Sequence, residues 1–71
     1  MRYAIVVEEG ASSYGAYVPD LPGCVAAADT REEVVRLIRE AIQLHVEEME
    51  KDGLPVPEPR STAEYVEVPV G

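Results

Sequence analysis

Seventy-one residues allow one domain with one small core, and 14 acidic against 6 basic residues give a net charge of -8. That balance opposes binding of the chain alone to nucleic acid or to an anionic membrane, and it suits a basic protein partner. One cysteine and one histidine exclude a disulfide framework and a structural Cys/His metal cluster, so a domain this small is expected to gain stability by self-association.

The apolar run that opens the chain is too short for a signal peptide and is interrupted by Glu8 and Glu9. No segment approaches the ~20 apolar residues of a membrane span, and a cytoplasmic protein is expected. Residues 2–9 read as a strand. Tyr3, Ala4, Ile5, Val6 and Val7 form a continuous, β-branched-rich run, the pattern of a strand covered on both faces. One helix covers one face. The other needs a second subunit or a partner, which makes Tyr3, Ile5 and Val7 candidate oligomer contacts.

Gly10–Ser13 is a turn by composition, and Tyr14–Val18 reads as the second strand of a hairpin. Tyr14, Ala16 and Val18 share one face, Gly15 and Tyr17 the other. Pro19 ends the strand because it cannot donate to a ladder. In Asp20-Leu21-Pro22-Gly23, Pro22 pre-sets φ and Gly23 supplies the positive φ of a type II turn. Cys24–Ala28 is a third strand of small residues, with Cys24 a small hydrophobe rather than a nucleophile.

Thr30 and Glu33 have the spacing of a capping box, and Asp29, Glu32 and Glu33 place negative charge at the positive end of a helix dipole. The helix is predicted over Arg31 to Asp52, with Gly53 its C′ residue and Pro55 forbidding continuation. Val34, Ile38, Ala41, Ile42, His45 and Met49 follow a helical period and form the core stripe, in which His45 is read as a neutral core residue. Leu37 and Leu44 lie roughly 100° from the centre of that stripe at 3.6 residues per turn. They are candidates for a subunit contact, or are covered by a terminal segment.

Leu54–Ser61 is a proline-spaced return loop, and Glu64–Val68 alternates as a fourth strand. The order is β-β-β-α-β, an α+β fold with one helix on a small mixed sheet. A right-handed crossover places strand four parallel to its neighbour; beside strand one, it would make strand one central. No glycine-rich phosphate loop, nucleophile elbow or histidine-containing ligand pair is present. The carboxylates Glu8, Glu9, Glu32, Glu33, Glu64 and Glu67 raise a two-metal site, but they read as capping and solvated groups. No catalytic residue, metal or cofactor is assigned, and the chain is not read as an enzyme.

Tyr14 to Cys24, with its Pro-Asp-Leu-Pro-Gly-Cys ending, then Asp29-Thr30-Arg31-Glu32-Glu33, then Gly53-Leu54-Pro55-Val56-Pro57, resemble the HicB-like antitoxin family over essentially the whole chain. The resemblance implies a partly reduced ribonuclease-H-like fold and an antitoxin function. It implies binding to a small basic HicA-type toxin, an mRNA-cleaving ribonuclease whose active site is occluded, and assembly into a homo-dimer or higher oligomer. Val34 stands where the family most often has alanine. Many members continue into a DNA-binding domain, whereas 1–71 reads as a single domain for which no direct nucleic-acid binding is expected. Asp20, Leu21, Pro22 and Gly23 with nearby acids are the expected protein-binding surface; Thr30, Glu33 and Gly53 are structural. The rival readings are a free-standing homo-oligomeric binding module without a toxin, and a vestigial metal-dependent nuclease.

Overall fold

The computed structural model describes residues 1–70. Strands β1 (Val6–Glu9), β2 (Tyr14–Tyr17) and β3 (Val25–Ala28) are followed by one helix, α1 (Arg31–Lys51). The sheet runs in the order β1-β2-β3, and both pairings are antiparallel. Val7, Ala16 and Ala26 stand opposite one another across the three strands, as do Val6, Tyr17 and Val25. Because side chains alternate along a strand, these two rows point to opposite faces.

The helix packs on the face that carries Val7, Ala16 and Ala26. The buried core is Ala16, Val18, Leu21, Cys24, Val34 and Ile38. Alanines at the centre of the sheet let α1 approach closely, and the helix supplies the larger side chains. Val35, Ala41, Ile42 and Val46 border the same core and complete the apolar stripe.

Both helix ends follow from local chemistry. Thr30 is extended, and its hydroxyl accepts from the Glu33 amide at 3.1 Å. Only this half of the capping box forms; no bond from the Glu33 carboxylate back to Thr30 is present among the described residues. At the other end Gly53 takes φ of +69°. Its amide donates to the Glu50 carbonyl, and the Leu54 amide donates to the Met49 carbonyl at 2.9 Å, the two bonds of a Schellman motif.

Three expectations are corrected. The fourth strand does not form: Glu64–Val68 joins no sheet, and Tyr65, Val66 and Val68 are exposed. The sheet is therefore wholly antiparallel rather than mixed, and the observed order is β-β-β-α. Strand β1 starts at Val6 rather than near residue 2 and lies at an edge rather than at the centre. The physical reason is common to all three. An alternating segment becomes a strand only where an edge meets it, and the tail does not lie along β1.

Candidate protein-binding surface

The loop that joins β2 to β3 is two consecutive turns. Leu21 N–H donates to the Val18 carbonyl and Cys24 N–H to the Leu21 carbonyl, both at 3.1 Å. Pro19 and Pro22 each occupy the second position of a turn, where their fixed φ is pre-organised. Gly23 follows with φ of +85°, which completes the type II geometry read from the sequence. A bond from Val18 N–H to the Cys24 carbonyl continues the β2–β3 ladder by one pair. The loop is thus closed at its base and punctuated by prolines.

That geometry divides the four expected contact residues. Leu21 is fully buried, so it belongs to the core and not to an accessible surface. Pro22 and Gly23 are exposed. Asp20 faces the chain's own return segment. Its carboxylate accepts from the amides of Arg60 and Ser61 at 2.8 and 2.9 Å, and from the Ser61 hydroxyl at 2.8 Å. Those bonds, led by the Ser61 amide, hold its carboxyl below the ordinary aspartate range, with partial desolvation opposing them. Tyr3 adds a second tie by donating its hydroxyl to the Pro57 carbonyl. Desolvation, then the charges of Glu58 and Asp20, push the Tyr3 phenol up. Neither tie was legible in the sequence, because the partners lie 40 or more residues apart.

On the face of the sheet away from α1, Tyr17, Val25 and Ala27 are exposed and Val6 and Gly15 are half-buried. Val6, Tyr17 and Val25 form a cross-strand apolar row there, with Gly15 and Ala27 beside it. Tyr17 is 40% and Val25 65% exposed. The alternation of β2 already placed Gly15 and Tyr17 on this side. Val25 follows the exposed Pro22–Gly23 turn closely in the chain, and Gly23 and Val25 also line a groove with Ala41, Leu44 and His45 of α1.

The other singled-out residues are dispersed. Tyr3, Ile5 and Val7 are half-buried against the core, Leu37 is half-buried, and Leu44 is 62% exposed. His45 is half-buried and shares a shallow groove with Gly23, Cys24 and Val25. Cys24 is buried as a free thiol, and burial pushes it up from the ordinary thiol range. Among the described residues no group of three or more His, Cys, Asp or Glu side chains is placed to hold a metal ion. No described helix is long and apolar enough to cross a membrane.

Comparison with known proteins agrees with the motif reading. The family described as the HicB-like antitoxin of bacterial toxin-antitoxin systems matches residues 3–70. An uncharacterized 14.9 kDa protein of Haemophilus phage HP1 is 36% identical over 69 residues, covering 97% of this chain and 52% of that protein. Antitoxin HicB 2 of Photorhabdus laumondii is 30% identical over 70 residues, covering 97% of this chain and 50% of that protein. The chain therefore spans about half the length of these two relatives. A chain of a solved structure described as a HicA3 and HicB3 toxin-antitoxin complex matches with a TM-score of 0.70 and 28% identity, covering 83% of this chain and 70% of that one. By a match that runs from Tyr3 to Val70, this chain belongs to the HicB-like antitoxin family.

Proposed function

We propose that the chain is the antitoxin of a HicA/HicB-type pair, a non-enzymatic, stoichiometric inhibitor that binds a small basic mRNA-cleaving toxin in the cytoplasm and occludes its active site. The observation that carries this reading is the structural match, at TM-score 0.70, to a chain of a toxin-antitoxin complex. The physics of the surface supports it. A net charge of -8 steers a basic partner toward the chain. The cross-strand row of half-buried Val6 with exposed Tyr17 and Val25 offers the apolar centre that an interface needs. Pro22 and Gly23 form its rigid rim, with Leu21 and Asp20 holding the turn in place from behind. Tyr17 is the central anchor, since tyrosine is among the residue types enriched at interface hot spots. The chain acts as a dimer or higher oligomer and makes no direct contact with nucleic acid.

The test is co-expression with a small basic protein encoded next to this gene. Co-purification and rescue of growth are expected, and Tyr17→Asp should abolish both while leaving the helical signal in circular dichroism intact. If no neighbouring basic protein co-purifies and none is neutralised, the antitoxin reading fails. The open edge of β1 and the exposed tail then favour the second reading, a free-standing homo-oligomeric binding module.

A further inference from the structure

We infer that Glu64–Val70 is the fourth strand of the sheet in trans, lying along the open edge of β1 in a second copy of this chain, with the two copies exchanging the segment reciprocally. The inference stands independently of the antitoxin reading. Three observations converge on it.

The first is the edge. β1 ends the sheet order, so its outer backbone groups have no strand partner among the described residues. The second is the segment. Val66, Val68 and Val70 alternate with Tyr65, Glu67 and Pro69, which gives a strand one apolar face. All three valines are at least 71% exposed. The tail draws the molecule out to 53 × 26 × 16 Å with a radius of gyration of 14.2 Å, against roughly 11 Å for a compact chain of this length. The third is the space between the residues that lead into β1 and the helix. A groove of about 430 Å³ opens between the start of the chain and α1, with Tyr3, Ile5, Val35 and Ile42 in its walls. A strand added beside β1 would set its inward valines into that groove.

A second copy is the occupant because each copy presents both halves of the same joint. The tail starts beside the residues that lead into its own β1: Pro59–Ala63 share a cleft with Arg2–Ala4. Asp20 then fixes its exit by holding the Arg60 and Ser61 amides, and beyond Thr62 every described residue is exposed. A bend at Thr62–Ala63 is all that separates a strand laid on its own β1 from one handed to a neighbour. The exchange is self-complementary and closes with two-fold symmetry, so the outer edge of β1 is paired in both copies.

Sedimentation equilibrium over a range of concentrations should give twice the chain mass. Val66→Asp with Val68→Asp should lose the dimer while circular dichroism keeps the helical signal, because neither valine touches the core of its own chain. In a mixture of isotope-labelled and unlabelled chain, filtered NOE spectra should connect Val66 and Val68 methyls to Ile5 and Ile42 of the other copy. A monomer at all concentrations, NOEs confined to one chain, or a dimer indifferent to the double substitution would each overturn the inference.

Discussion

Leu21 and Asp20 are adjacent yet do opposite work, one fully buried and the other turned out to catch Arg60 and Ser61. The prolines on either side make this possible by fixing two turns in succession. Gly23 then carries the reversal at φ of +85°, with nothing within 4 Å of an added Cβ. Gly23→Ala meets no clash there, so its cost is the left-handed backbone alone, about 1–2 kcal/mol, and Gly23→Asn should cost less. Urea unfolding of both variants checks this. Asp20 is expected to behave as an acid-sensitive latch. Its folded carboxyl lies below the ordinary aspartate value of 3.8, so the latch is complete above that value and is lost as pH falls through the lowered one. The Arg60 and Ser61 amide shifts, followed downward from neutral pH, should stay constant and then move together below the ordinary aspartate range. Asp20→Asn should speed exchange of both amides at neutral pH and leave the helix unaffected. Pro22 and Gly23 announced their turn because its chemistry is local. The role of Asp20 was hidden because its partners are far along the chain.

At the scale of elements, α1 was legible almost to the residue because its signals are also local. Thr30 caps one end, Gly53 closes the other, and the apolar period points to one face. The helix should therefore show graded sensitivity. Thr30→Ala removes one cap bond and should cost about 1 kcal/mol. Ile38→Ala opens a cavity under a side chain only 1% exposed and should cost about 2–5 kcal/mol. Leu44→Ala, at an exposed position, should change the stability of the isolated chain by under about 0.5 kcal/mol. Chemical denaturation ranks the three, and a large effect at Leu44 would reveal a contact made by another subunit. The strands were less legible. β2 and β3 were found because each has a neighbour in sequence. Glu64–Val68 has the alternation of a strand, but pairing depends on an edge, and sequence does not say whether that edge belongs to the same molecule. The continuous apolar run of Tyr3–Val7 gave the corresponding signal for β1. It demands cover on both faces, and in one chain the helix supplies only one.

For the whole molecule, charge and shape make separate claims that salt can separate. The net charge of -8 was plain from composition, but composition does not reveal which surface a partner meets. In the reading proposed above, that surface centres on Tyr17 and Val25, which the fold leaves exposed. A basic toxin arriving at that surface is steered by long-range attraction, which is screened beyond about 10 Å at 0.1 M salt and about 3 Å at 1 M. Self-association opposes two chains of the same sign, and its proposed joint is an apolar strand seated in an apolar groove. Raising salt should therefore slow association with the toxin by about tenfold or more, with a smaller change in dissociation, while dimerisation holds or tightens. Stopped-flow association rates and sedimentation at matched salt concentrations measure the two effects on one preparation. A toxin on-rate that ignores salt would mean that the acidic surface does not steer the encounter. A dimer that dissociates as salt rises would mean that charge pairs, rather than the buried valines, hold the two copies together.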